Sequence, residues 1–571
     1  MSDLSQAWKR LRTYMRNSWL PENSNQELVT SKILFTLRKN VKKQKQVSEP
    51  LDKNLQELLI EEKLTTTLQE WVQVDSKLNW LIDNTDFHTE IYNLFGEESL
   101  KVEILQALMK KLINSQQFRP VQLFQRLENF YSRWCQGEFI DAPPHQNFPQ
   151  KKLLQIQSKN TSLGLRQVDI YTGLNLMILL LALHGYAQQN EELKQKIIFY
   201  PSGQPDTENF FTSQLLRVIN YSDAIEIGNF SNIVGEFLHG GNFSGAYLGD
   251  ANLTGVNFSN AQLTGTYLGD ANLTGANLSN ANLSAANLGD ANLSGANLGG
   301  AILRRADLSS INFSGSNLSN ADLSHADLSN SNLSSCNLTG ANLTGANLTG
   351  ANLRDADASN AIFRQATCFG ANLSGANMMT ANMSYTDLCR ADISGVNLEN
   401  ADLTGANLSD SILFSANLNS AIAQAADLSY AKLSGAKLNN ANLQGAILLG
   451  ADLSGVDLSN VILNEADLSG VTLSEADLRD ADMSEAILLG TDLSFANLNR
   501  ANLSGSNLTG AILSGADLSY TDFSYAILGG TDLSDANLDK MTWNENQAWE
   551  GVRGLESAMN MPIALRQKLG L

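Results

Sequence analysis

The sequence predicts an α + β-solenoid fold: an N-terminal all-α domain, then a β-solenoid, then a short C-terminal helical cap. Three observations carry this. From Gly241 to Lys540 a five-residue unit repeats sixty times without insertion or deletion, so every residue whose number ends in 3 or 8 is the hydrophobic centre of a unit. No proline stands between Pro205 and Pro562, as expected where neighbouring coils need every backbone N–H for hydrogen bonds. Before residue 230 the pattern changes to Leu, Ile and Trp at three- and four-residue spacing, with Glu, Lys and Gln between them.

In chain order, 51–80, 99–113 and 121–134 read as amphipathic helices that pack as a bundle. Residues 137–145, with Pro143-Pro144, break the pattern and predict a loop before a second helical part around 163–200. The expected organisation is a helical domain over 1–140, a second helical segment and link over 141–230, the solenoid over 231–540 and the cap over 541–571. The longest apolar run, 174–187, is short for a bilayer span and reads as a buried helix. No basic start leads into an apolar stretch, so no signal peptide is expected and the cytoplasm is the expected location. Four dispersed cysteines, Cys135, Cys336, Cys368 and Cys389, fit a reducing compartment. The basic run Arg38, Lys39, Lys42, Lys43 and Lys45 reads as a solvated helix face rather than a nucleic-acid site.

The solenoid follows from the period. Five residues of α-helix turn about 500°, so successive centres would march round the axis and share no core. In a straight strand an odd period throws alternate centres to opposite faces, so a common core requires a corner in every unit. Recurrences at twenty and forty residues set the number of corners. The segment 246–255 returns at 266–275, and Ala-Ile-Leu at 446, 486 and 526 is spaced by forty. Four units per coil, hence a square cross-section, account for both spacings. At about 4.8 Å per coil, about fifteen coils give a rod about 70 Å long.

The consensus Ala, Asn/Asp, Leu, Ser/Thr, Gly, as in Ala341-Asn342-Leu343-Thr344-Gly345, resembles the pentapeptide repeat proteins over residues 231–540. The resemblance implies a right-handed quadrilateral β-helix whose centre and small first residue, here Leu343 and Ala341, point inward. Each buried Leu contributes roughly 1.5–3 kcal/mol to such a core. Ala358, Cys368 and Ala423 replace Leu at centres, Met378, Met383 and Met483 are softer replacements, and the large Phe363 offsets its small neighbours. After Trp543 the register is lost, and Trp549, Val552, Leu555, Met559 and Leu565 read as a cap over the exposed end.

Chemistry is sparse. His88, His145, His184, His239 and His325 are scattered, the glycines belong to corners rather than to a phosphate loop, and the Asp-rich units lack calcium-loop spacing. No enzyme, cofactor or metal is expected. Charge is the remaining signal. Residues 241–540 hold 29 acids and 10 bases, a net −19 of the chain's −20, with −4 over 241–386 (8 acids, 4 bases) and −15 over 387–540 (21 acids, 6 bases).

Two partner surfaces follow. One is the acidic half, represented by Asp467, Asp477, Asp482 and Asp492. Some members of the family mimic DNA before type II topoisomerases, so the resemblance carries a DNA-gyrase-directed reading. The charge density here, one per ~2.5 Å, is lower than the one per ~1.7 Å of duplex DNA. The other is apolar: Ile447, Ile487 and Ile527 stack on one face, with Ile302, Ile362, Ile422 and Ile462 on an adjacent one. The preferred expectation is a non-enzymatic scaffold that binds a protein partner or a second copy of itself as a homodimer, with no direct nucleic acid and no membrane span. The resemblance adds the cyanobacterial members that act in regulation, filament differentiation or filament integrity.

Overall fold

The computed structural model describes residues 53–157, 162–205, 207 and 210–571. The basic run at 38–45 lies outside them. The chain divides into two compact units, Met1–Lys63 and Leu64–Leu571. The first is described only at 53–63, which is helical. The second holds a helical head and a solenoid.

The head contains α1 (Lys53–Glu70, entered from the first unit), α2 (Asn84–Phe95), α3 (Val102–Ile113), α4 (Pro120–Cys135), α5 (Phe148–Gln157), α6 (Leu165–Gln188), α7 (Gln214–Asp223) and α8 (Asn229–Val234), then a 3-10 turn at Gly235–Phe237. Helix α6 is the centre, packed against α2, α3, α4, α5 and α8. It is long and apolar enough to cross a membrane by length and composition, yet Leu174 to Leu180 are almost wholly buried in the head. Its Gly173 is required by packing, since a Cβ there would stand 2.0 Å from the Trp134 ring.

One expected helix is shorter than the periodicity suggests. The helix over 51–80 stops at Glu70. The Asp75 carboxylate accepts from the N–H groups of Lys77 and Asn79, closing a turn in which Leu78 has a positive φ, and Val74 bridges antiparallel to Trp80. Arg126 fixes this turn, donating to the carbonyls of Trp71 and Ile82 while its guanidinium lies over Phe87 and Trp80.

In the solenoid each second-position residue bridges in parallel to the residue twenty further on, from Asn242↔Gln262 to Asp522↔Thr542. Four units therefore make one coil. Corners every five residues leave one bridge per side, so the sides are ladders of single bridges instead of longer strands. Centres and first positions face inward: Leu343 and Ala341 are fully buried, as are Ala358, Phe363 and Cys368.

The consensus follows from the backbone donors. In one unit Ala341 N–H closes the preceding turn on Leu338 O, Asn342 N–H reaches Ala321 O in the coil before, and Leu343 and Gly345 N–H reach Ile362 O and Arg364 O in the coil after. The remaining donor, Thr344 N–H, is accepted by Asn342 Oδ1 at 3.1 Å. All five N–H groups of this unit are thus paired, which explains why Asn or Asp is preferred at the second position; an Ile there, as at Ile362 or Ile447, offers no such acceptor. The fifth residue has a positive φ in every unit from Gly240 to Lys540, which is why Gly recurs there and Asn and Asp are the common substitutes. Where the first residue is a buried Ser, Thr or Cys, its side chain donates to a main-chain carbonyl, as Thr386 Oγ1 does to Phe363 O.

Both ends of the ladder are covered. At the start, Tyr247 N–H donates to Thr212 O and Asn257 N–H to Gly235 O, so head carbonyls stand in for a missing coil. At the other end the expected cap is more than a helix. Asp532 bridges Arg553 and Asn537 bridges Met559, offsets of 21 and 22, so 541–560 forms an irregular coil that has lost the pentapeptide spacing but keeps the ladder. Trp549 and Leu565 are buried beneath it, Met559 is exposed instead, and helix α9 (Ile563–Leu569) follows.

Candidate interaction surface

Each of the four aspartates singled out above begins as a local structural acceptor. Oδ1 of Asp467, Asp482 and Asp492 accepts from the N–H and hydroxyl of Ser469, Ser484 and Ser494, two residues on. Asp477 is paired with Arg479, 2.6 Å away, whose guanidinium holds the carboxyl below its ordinary range. The bridges place the four on four different ladders. Asp467 lies between Ile447 and Ile487, Asp482 between Ile462 and Asn502, Asp477 between Asp457 and Asn497, and Asp492 between Thr472 and Ile512. The solenoid does not gather these carboxylates on one face.

The apolar residues do come together. Ile447, Ile487 and Ile527 share the ladder Ile447–Asp467–Ile487–Asn507–Ile527, and their side chains are 43%, 39% and 55% exposed. Sequence reasoning missed two companions: Leu449 and Leu489 stand at the fourth position of the same units, where Ser or Thr is usual, and are exposed beside Ile447 and Ile487. The signal was the double Leu of Ala-Ile-Leu-Leu-Gly. The corner of this face is a column of glycines, Gly450, Gly470, Gly490, Gly510 and Gly530, all with positive φ. At its end Ile527 lines a hollow of about 680 Å³ bounded by Tyr525 and the cap residues Gln547 and Glu550.

A second concave feature lies in the head, where Trp134, Asp141, Arg166, Asp169, Arg217 and Tyr221 line a cleft of about 440 Å³. Asp169 is buried and accepts from Tyr92 Oη at 2.6 Å, Trp134 Nε1 at 3.1 Å and Tyr221 Oη at 3.1 Å. Burial outweighs these bonds and pushes its carboxyl up to about 6. No pattern in the sequence marks Asp169, because its donors come from α2, α4 and α7.

Of the remaining histidines and cysteines, His88, His184, Cys336 and Cys368 are buried, Cys135 and Cys389 are partly buried, and His145, His239 and His325 are exposed. Burial pushes the thiols of Cys135, Cys336 and Cys368 up to about 12. His88, ringed by Phe130, Phe139 and Phe148, is lowered to about 4 by burial and by Arg133. Among the described residues no three His, Cys, Asp or Glu side chains are grouped to hold a metal ion.

The sequence pattern of the family described as Pentapeptide repeats matches residues 238–270, 281–320 and, in overlapping segments, 326–540. No curated protein matches the chain. Among solved structures, full-length QnrB1, a plasmid-mediated fluoroquinolone resistance protein, is 18% identical, with 34% of this chain and 100% of that one covered and a TM-score of 0.26. HetL, involved in heterocyst differentiation regulation in the cyanobacterium Nostoc sp. strain PCC 7120, is 34% identical, with 40% and 89% covered and a TM-score of 0.15. Rfr23, from the cyanobacterium Cyanothece 51142, is 32% identical, with 20% and 64% covered and a TM-score of 0.09.

Proposed function

From the premise that the chain belongs to the pentapeptide repeat family, we propose that it is a non-enzymatic protein–protein interaction scaffold. Its rod, right-handed, quadrilateral and about fifteen coils long, presents a docking face and carries the helical head at one end. The observation that carries this reading is the exposed strip of Ile447, Leu449, Ile487, Leu489 and Ile527 beside a glycine corner, within the most acidic half of the rod. Exposed apolar side chains gathered on one face, here on alternate rungs of one ladder, mark a candidate protein contact site. A regulatory setting of the cyanobacterial kind, in the cytoplasm, belongs to the same proposal.

DNA mimicry is the weaker reading. Its four marker carboxylates are spread over four ladders, and Asp477 is neutralised by Arg479. The test is affinity capture with the full-length chain, its Ile487→Asp/Leu489→Asp variant and a variant with Asp467, Asp477, Asp482 and Asp492 all changed to Asn. The scaffold reading expects the captured partners to be lost with the first variant and kept with the second, and to survive raised salt. Inhibition of DNA gyrase supercoiling that the four Asn substitutions abolish would replace it with the mimic.

A further inference from the structure

The docking face is matched to itself. Its five rungs, 446–450, 466–470, 486–490, 506–510 and 526–530, contain 25 residues and a single ionisable group, Asp467. The other three sides of the same coils, 451–465, 471–485, 491–505 and 511–525, carry 11 acids and 2 bases. A second copy approaching any of those sides would bring like charges together, whereas on this face the repulsion is nearly absent.

In the order Ile, Asp, Ile, Asn, Ile along the ladder 447, 467, 487, 507, 527, apolar and polar rungs form a palindrome about Ile487, with Asp467 and Asn507 as the exchanged polar pair. We infer that this face pairs with the same face of a second copy, the two rods antiparallel and related by a two-fold axis through the Ile487 rung. The inference rests on the docking-face reading above and names its partner.

Under that operation Ile447 meets Ile527 of the second copy, Ile487 meets itself, and Asp467 meets Asn507. The polar rungs are complementary. Asp467 Oδ1 is committed to Ser469, leaving Oδ2 as an acceptor, while Asn507 Oδ1 is committed to Thr509, leaving its side-chain N–H groups as the donors it presents. At the fourth position Ser469 meets Thr509, and the bulky Leu449 meets Gly529, where only a hydrogen would stand in its way. The glycine corner from Gly450 to Gly530 carries no side chain to hold the rods apart.

A parallel pair would match the apolar rungs too, but it would extend the contact over the earlier coils of this side. Those coils bear Asp250, Asp270 and Asp290 at the corner and Asp307, Asp327, Asp387 and Asp427 on the ladder. Antiparallel pairing confines the overlap to the end of this side where Asp467 is the single charged residue. Five rungs span only ~24 Å at ~4.8 Å per coil, so the area is at the low end of specific interfaces and the pair is a weak, reversible one.

Sedimentation velocity of the full-length chain from about 1 to about 200 µM reads this directly. A concentration-dependent dimer is expected, weakened at least about tenfold by Ile487→Asp/Leu489→Asp, with an unchanged far-ultraviolet circular dichroism spectrum because both side chains point outward. For orientation, Ile447→Cys and Ile527→Cys are made separately in a Cys389→Ser background, mixed, and treated with a short bis-maleimide. A cross-link between the two variants, and none within either alone, is expected. Cross-linking of Ile447→Cys to itself overturns the antiparallel pair. A chain that stays monomeric throughout overturns self-pairing, and so does a dimer indifferent to the Asp variant. If the chain is monomeric while Ile487→Asp/Leu489→Asp still strips its captured partners, self-pairing falls and the docking face stands.

Discussion

Asp169→Asn separates two opposing effects in the head and makes its outcome depend on pH. At neutral pH the wild-type carboxylate is ionised inside the core, where burial has raised it from 3.8 to about 6. Between these values the folded chain holds more protons than the unfolded chain, so stability is highest at low pH and falls as pH rises through the window. At about 1.36 kcal/mol for each pH unit that separates the two values, the full loss is about 3 kcal/mol. The same relation puts roughly 1 kcal/mol of it in place at pH 4.5 and nearly all of it at pH 7.5. The amide that replaces the carboxyl does not titrate. It keeps one acceptor for Tyr92, or for Tyr221 and Trp134, but turns an N–H group toward a donor on the other side, at a pH-independent cost of roughly 1–3 kcal/mol. His88 works in the opposite direction: held at about 4 against 6.5, it adds stability as pH rises. Because it is present in both proteins, it cancels in the difference. Urea unfolding followed at 222 nm, dominated by the head helices, should give a destabilisation by Asp169→Asn that is about 2 kcal/mol smaller at pH 7.5 than at pH 4.5. Equal destabilisation at both pH values would refute a raised, buried carboxyl.

Two further substitutions test the packing. Leu343→Asp places an unpaired charge among fully buried centres and should cost more than about 4 kcal/mol, melting the surrounding coils; an unchanged circular dichroism spectrum and melting temperature would contradict the inward assignment. On α6, Gly173→Ala should destabilise the head by about 3 kcal/mol, since the Trp134 ring would lie 2.0 Å from the new Cβ. Gly185→Ala, which meets nothing within 4 Å on the same helix, should stabilise it by about 0.5–1 kcal/mol. A pair of thermal melts in which both variants move the same way would remove the packing explanation for Gly173.

The rod was legible because its rules are local and repeated. In a consensus unit each backbone N–H is paired either within the turn or with a residue 19 or 21 positions away, and those offsets bracket the period of twenty. The sequence therefore displayed the register, the four-sided coil and the inward pair together. The head offers no such periodicity. The helix ending at Glu70 depends on Arg126 reaching Trp71 and Ile82, and the buried Asp169 depends on partners 77, 35 and 52 residues away. Amphipathic spacing locates α3 and α4 but cannot say which polar residue on a helix will be enclosed by other helices. The tail at 541–560 combines both cases: its ladder continues, but one- and two-residue insertions hide it from any search for a fixed period. The same distinction governs the docking face. Ile447, Ile487 and Ile527 stood out because forty-residue spacing is two coils, whereas the palindrome of apolar and polar rungs has meaning only once the ladder shows that Asp467 and Asn507 lie equidistant from Ile487 on a stretch of that side with no other charge. In the rod, a substitution can be judged from its position in the unit and its column on the face. In the head, it must be judged from the partners that folding brings to it.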